Sequence, residues 1–149
     1  MGQLIYAIII AAIAGGLMAF QGSMNSTLSK TAGLLGATLV VHVIGLITII
    51  PLLFFFKNSW DGLKHVFEAP KYAYLGGIIS VAIIYLVASS ISKSGMVSAT
   101  TAIIGGQITT AVLIDSFGWF GIDKCPLTLW KILGIIFLGL GTYLTIKPS

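Results

Sequence analysis

Residues 3–22 read QLIYAIIIAAIAGGLMAFQG, a stretch without a charged side chain. A helix needs roughly 20 apolar residues to cross a hydrocarbon core about 30 Å thick, so this stretch predicts a transmembrane helix. Four similar stretches follow, at about 34–56, 72–92, 96–117 and 128–146. An unpaired backbone amide in lipid costs several kcal/mol, so these spans should be helical. The sequence therefore predicts one all-α integral membrane domain of five transmembrane helices over residues 1–149.

The composition excludes most other classes of protein. The chain is 57% hydrophobic and 8% charged, with a mean hydropathy of +1.06, which would leave a water-soluble domain of this size insoluble. All eight basic residues are lysines at the ends of spans, where they anchor to lipid headgroups; we do not expect a nucleic-acid partner. One cysteine, two histidines and four acidic residues form no recognisable catalytic set or metal site. We therefore expect neither an enzyme nor a bound cofactor.

The distribution of lysines bears on orientation in the membrane. If five spans alternate, the side of the N-terminus carries Lys57, Lys64, Lys71, Lys124 and Lys131, and the other side carries Lys30, Lys93 and Lys147. A fixed orientation would place the N-terminus in the cytoplasm. So small a bias also permits insertion in both orientations, in which a second copy or a homologous subunit pairs antiparallel to form a ten-helix inverted dimer.

Polar residues interrupt the first two spans. If the first helix continues beyond residue 22, Gln21, Asn25 and Ser29 share one face, which should point into the bundle or a wet cavity. The alternative is that they only hydrogen-bond neighbouring helices. His42 in the second span could relay protons or contact a solute. Its alternative role is a neutral imidazole bonded to a neighbouring helix.

The third and fourth spans carry further candidates. Tyr85, with serines at helical spacing, could line a passage for a polar organic solute. Gln107 lies near the centre of its span, where it would approach its own symmetry mate in an inverted dimer. Asp115 is the one carboxylate within a span and could bind a cation or a coupling proton, or could be only an interfacial helix-end group. Small residues predict close helix packing at Ala11, Gly15, Ala19, Gly76, Ser80, Gly134 and Gly141.

Two of these segments form a familiar pattern. The string GGQITTAVLIDSFGWFG at residues 105–121 and the string QGSMNSTL at residues 21–28 resemble signatures of the YdcZ family, within the drug/metabolite transporter superfamily. The resemblance covers essentially the whole chain and carries over Gln21, Asn25, Gln107 and Asp115. It implies a bacterial inner-membrane protein whose relatives occur as dual-topology single genes, as pairs or as fused ten-helix chains. Ser116 stands where relatives often have histidine.

These features together predict a secondary transporter of a small organic solute that works by alternating access. In an inverted dimer, Asp115 of one copy would reach the depth of Gln21 and Asn25 of the other, giving two half-gates around a central Gln107 pair. The amides and the carboxylate of these residues suit a cation, a zwitterion or a neutral metabolite as the solute. The small multidrug-resistance branch uses a glutamate in its first span, which this chain lacks, so its proton-for-cation exchange does not carry over. The alternatives are a passive channel or a non-transporting subunit of a membrane complex.

Overall fold

The computed structural model describes residues 1–56 and 59–147, and in these ranges the chain is helical with no β-strand. The all-α prediction is thereby confirmed. The helices are α1 Gly2–Phe55, α2 Ser59–Lys64, α3 Leu75–Ser94, α4 Met96–Phe117 and α5 Leu129–Ile146. Short 3-10 turns occur at Val66–Glu68, Lys71–Tyr74 and Trp119–Gly121.

Helix α1 differs most from the sequence prediction. Its range covers 54 residues but joins two helices across Gly33, whose φ 72° and ψ 164° are not helical. A connector was expected after residue 22, but residues 23–32 are helical. The hydroxyls that could compete with the helix donate to carbonyls one turn back, from Thr27 to Ser23 (3.0 Å) and from Ser29 to Ser26 (2.7 Å). Polar residues beyond position 22 therefore stay on the helix.

Four helices of the described chain are long and apolar enough to cross a membrane: Gly2–Phe55, Lys71–Ser94, Met96–Phe117 and Leu129–Ile146. The sequence predicts five spans, because residues 3–22 and 34–56 count separately, whereas here both lie within the range of α1, on either side of Gly33. The number of five therefore stays a prediction. The most apolar 18-residue window of each helix is at most 6% buried. Side chains this apolar need a non-aqueous surrounding, which a bilayer supplies.

The helices group into two compact units, Met1–Ser92 and Lys93–Ser149. The first unit contains α1, α2 and α3, and the second contains α4 and α5. Lys57 and Asn58, which belong to the predicted second connector, lie outside the described residues. The rest of this connector is polar and includes an exposed ion pair between Lys64 and Asp61 at 2.7 Å. Charged side chains thus occur in this connector, whereas the long helices expose mainly apolar side chains.

Helix α4 ends at a glycine whose conformation requires that residue type. Gly118 has φ 66°, and its N–H donates to the Ile114 carbonyl at 2.8 Å. A Cβ at this position would lie 2.6 Å from Cγ of Lys124. The left-handed cap turns the chain sharply after α4. It therefore fixes the end of the helix two residues beyond Ser116.

Candidate functional site

A small cleft lies between the first part of α1 and α3. Its volume is about 50 Å³. We call it the amide cleft; its lining consists of Met18, Gln21, Gly22, Asn25, Ile83, Ile84 and Val87. Gln21 and Asn25 are four residues apart and share a helix face, as their spacing predicts. They supply the two primary amides of an otherwise apolar lining.

Asn25 is the buried member of this pair. It is only 6% exposed, whereas Gln21 is exposed. Among the described residues the Asn25 side chain has no hydrogen-bond partner. None of the side-chain nitrogen or oxygen atoms of the described residues is both fully buried and without a hydrogen-bond partner. The amide therefore opens onto the cleft. Leaving a buried polar group unpaired costs about 1–3 kcal/mol, so a water or a solute group in the cleft would stabilise it.

Close contact between α1 and α3 at Gly22 forms one wall of the cleft. A Cβ on Gly22 would lie 2.9 Å from Cδ1 of Ile91 and 3.2 Å from Cγ1 of Val87. One turn further along, the hydroxyl oxygens of Ser26 and Ser92 are 3.0 Å apart and hydrogen-bonded. Sequence reasoning missed Gly22 and Ser26 as positioning residues, although their spacing of four is the pattern of small residues at a close helix contact.

His42 connects the second part of α1 to α3. Its Nδ1 lies 2.8 Å from the carbonyl oxygen of Thr38, and its Nε2 lies 3.1 Å from the hydroxyl oxygen of Ser80. The Ser80 hydroxyl also lies 2.7 Å from the carbonyl oxygen of Gly77, to which it can donate. Ser80, expected only as a packing residue, is thus the polar partner of the histidine. Both ring nitrogens are engaged, so the ring is held in one orientation.

Tyr85 lies in a separate and larger groove of the same unit. The groove has a volume of about 540 Å³ and is lined by Leu35, Ile78, Val81, Ala82, Tyr85 and Leu86. Among the described residues the tyrosine hydroxyl has no hydrogen-bond partner. Apart from that hydroxyl, the lining side chains are aliphatic. The groove therefore fits an apolar occupant better than a polar one.

Gln107 lies on an exposed face of α4. No described residue forms a hydrogen bond to its side chain. The threonine hydroxyls of this helix behave differently, since those of Thr101 and Thr109 donate to the carbonyls of Val97 (2.6 Å) and Gly105 (2.8 Å). Contact with α5 is made through Thr142, whose hydroxyl lies 3.4 Å from the Thr101 carbonyl oxygen. Gln107 thus has no polar partner among the described residues.

Asp115 is half-buried near the end of α4. Its backbone carbonyl accepts a hydrogen bond of 2.9 Å from the N–H of Cys125, which ties the following loop back to the helix. Its carboxylate forms no ion pair with the described residues, where the pairs are Lys64–Asp61 and His65–Glu68. The carboxylate is therefore available to a ligand.

The predicted packing glycines are open in the single chain. A Cβ would meet nothing within 4 Å at Gly15, Gly76, Gly134 or Gly141. Ala11 is exposed and Ala19 is half-buried. Another helix can approach an apolar helix closely where small residues are exposed on it. Their packing role remains a prediction that needs a further partner.

Comparison with known proteins adds one finding. A family described as "Putative inner membrane exporter, YdcZ" matches residues 6–144. The match covers α1, α3 and α4 entirely or nearly so and most of α5, and it confirms the family resemblance drawn from residues 21–28 and 105–121. Searches of curated proteins and of solved structures gave no match.

Proposed function

Since this chain belongs to the YdcZ family, we propose that it is a secondary transporter that moves a small organic solute by alternating access. Family membership and four long apolar helices make it a multi-pass protein of the inner membrane. Membership also favours transport over catalysis. The observation that carries the proposal is Asn25, a buried amide without a protein partner that opens onto a cleft between membrane helices.

The length of α1 fits five membrane crossings by the whole chain better than four. A straight helix of 54 residues would be about 81 Å long, far beyond a hydrocarbon core of about 30 Å. Gly33 divides it into segments 2–32 and 34–55, of about 46 Å and 33 Å. The second segment matches the membrane thickness, and the first is long enough to cross it and extend beyond. We therefore propose that α1 crosses twice, with its reversal near Gly33.

An inverted dimer would complete the binding site. The amide cleft, at about 50 Å³, holds one or two water molecules, whereas small-molecule sites usually measure about 300–1,000 Å³. Additional walls must come from other helices. Contacts for a second copy are offered by Gln107 and by the predicted packing glycines Gly15, Gly76, Gly134 and Gly141. The near balance of lysines on the two sides supports antiparallel pairing. Gln21, Asn25, Gln107 and Asp115 are the residues we propose to contact the solute.

A passive channel or a purely structural subunit would be the alternative. A channel needs polar groups directed along a continuous pore. The hydroxyls of Thr101 and Thr109 instead donate to carbonyls of their own helix, so these two threonines offer no free donor to a pore. A structural subunit would not need an unpaired amide at a cleft. The carrier is therefore the better supported function.

Transport by Asn25→Leu tests the proposal. The substitution removes the amide while keeping a side chain of similar length, so the solute loses a hydrogen-bond partner inside the cleft. We expect saturable efflux from proteoliposomes of at least one labelled probe among tetramethylammonium, glycine betaine and N-methylacetamide. For glycine betaine and N-methylacetamide, which can hydrogen-bond to the amide, the rate should fall about tenfold or more in the variant, since losing a hydrogen bond to a buried partner costs about 1–3 kcal/mol.

Thr27→Val is the matched control for this experiment. Thr27 is exposed on the same turn of α1, and its hydroxyl only donates to the Ser23 carbonyl. This variant should transport at the wild-type rate. Ohmic current instead of saturable flux would indicate a channel. Wild-type flux in Asn25→Leu would contradict the assignment of the amide cleft, and no flux or current from the wild type would contradict the carrier.

Dual topology is tested with Cys125, an exposed residue and the chain's one cysteine. If copies insert in both orientations, a membrane-impermeant maleimide should label about half the molecules in intact cells, because the lysine bias is weak. Permeabilised cells provide the reference for complete labelling. Labelling of nearly all or nearly no molecules would establish one fixed orientation and exclude the homodimeric inverted arrangement.

A further inference from the structure

The hydrogen-bond partners of His42 limit where its protons can be. A carbonyl oxygen only accepts hydrogen bonds, so the contact of 2.8 Å with Thr38 requires a hydrogen on Nδ1. The Ser80 hydroxyl has one hydrogen and two acceptors within reach, the Gly77 carbonyl oxygen at 2.7 Å and Nε2 of His42 at 3.1 Å. The position of that single hydrogen decides the protonation state of the ring.

Two arrangements satisfy this geometry without moving any heavy atom. When Ser80 donates to Gly77, a hydrogen bond between Ser80 and Nε2 requires a hydrogen on Nε2, and the ring is then an imidazolium. When the Ser80 hydrogen points to Nε2, the ring is neutral. Uptake of a proton at Nε2 therefore turns the Ser80 hydroxyl toward Gly77, and release of that proton turns it back. Charge balances in each direction, because one proton enters or leaves the ring.

On this geometry, and resting on the transport function above, we propose that His42 binds and releases a coupling proton. The residue lies nine positions beyond Gly33, about 14 Å along the second segment of α1, which is inside the membrane rather than at its surface. The polar groups that contact it are the Thr38 carbonyl from its own helix and the Ser80 hydroxyl from α3, and that hydroxyl also contacts the Gly77 carbonyl. No carboxylate of the described residues is paired with it.

An imidazole in this setting can exchange its proton readily. A permanent charge within an apolar span is costly, so the neutral ring is a stable state. Two oxygens nevertheless accept from the imidazolium once it forms, the Thr38 carbonyl oxygen from Nδ1–H and the Ser80 hydroxyl oxygen from Nε2–H. Histidine is also the side chain whose charge ordinarily changes between about pH 5 and 8. Because the ring joins α1 to α3, its charge affects two helices that also form the amide cleft.

Protonation can be measured directly, without a substrate, by NMR of ¹⁵N-histidine-labelled protein in lipid nanodiscs. The chain has two histidines, and the His65→Gln variant assigns the signals. We expect the His42 ring to change from the neutral Nδ1–H form to imidazolium as the pH is lowered from about 8 to about 5. In Ser80→Ala the ¹⁵N signals of the His42 ring should respond to pH differently from those of the wild type, because Nε2 loses its partner.

His65 is the internal control. It lies on the exposed connector, where Nδ1 is 2.7 Å from the Glu68 carboxylate, so its signal should not respond to Ser80→Ala. A His42 ring that stays neutral over the whole pH range would overturn the proposal. So would an identical pH response of His42 in the wild type and in Ser80→Ala.

Coupling is then tested in proteoliposomes that contain the pH dye pyranine. With a probe moved by the wild type, His42→Gln should lose acceleration by a pH gradient and the accompanying pyranine signal, while exchange without a gradient continues. His65→Gln should behave as the wild type. Gradient-driven flux that persists in His42→Gln overturns the proton site alone. Absence of any wild-type flux overturns the transport function instead, while the NMR result stands independently.

Discussion

Replacing Gly22 by leucine is expected to abolish transport and to destabilise the contact between α1 and α3. The Cβ alone would lie 2.9 Å from Ile91 and 3.2 Å from Val87, and three further carbons would have to enter the same space. The helices must then separate, which breaks the hydrogen bond of 3.0 Å between Ser26 and Ser92. Overpacking of this kind costs about 1–3 kcal/mol. The added side chain would also fill the amide cleft.

Gly16→Leu is the matched control, since it adds the same side chain to the same helix. A Cβ on Gly16 would meet nothing within 4 Å, and the added carbons would lie on an exposed face. Thermal unfolding in detergent and probe flux should both remain close to the wild type. Gly22→Ala should fall between the two, because the end of the Ile91 side chain can move away. A stable, active Gly22→Leu protein would contradict the described helix contact.

The second large effect is expected for Asp115→Asn. The change keeps the size of the side chain and removes the one charge within the apolar part of α4, so a cationic solute loses its counter-charge. Two opposite charges about 4 Å apart attract by about 4 kcal/mol at an effective dielectric constant near 20, and desolvation offsets part of this, so flux of tetramethylammonium should fall about 10- to 100-fold. Flux of the neutral N-methylacetamide should fall much less. The ratio of the two rates is the decisive measurement.

Asp123→Asn separates this role from a general effect of surface charge. Asp123 is an exposed carboxylate in the loop between α4 and α5, and its loss should leave both fluxes unchanged. If Asp115 is only a helix-end group at the interface, Asp115→Asn will match this control for every probe. That outcome would remove Asp115 from the proposed solute contacts and leave the amide cleft unaffected.

The candidate site was only partly predictable from the sequence. The spacing of Gln21 and Asn25 placed them on one face, but it did not indicate that Asn25 is buried and Gln21 exposed. That difference depends on which side of α1 meets α3, and α3 is about sixty residues away in the chain. His42 was a candidate by its residue type alone. Its pairing with Ser80, which decides what the ring can do, required the two helices to be brought together.

The sequence by itself determined the membrane environment, the helical class and the family, because hydropathy and short motifs are properties of neighbouring residues. It also predicted the fourth span at about 96–117, which matches α4, Met96–Phe117. Only the tertiary structure decided that residues 23–32 continue α1 up to Gly33 and that Gly22 contacts Val87 and Ile91. Helix approach depends on the shape of both partners at once, and no local pattern in either helix contains the position of the other.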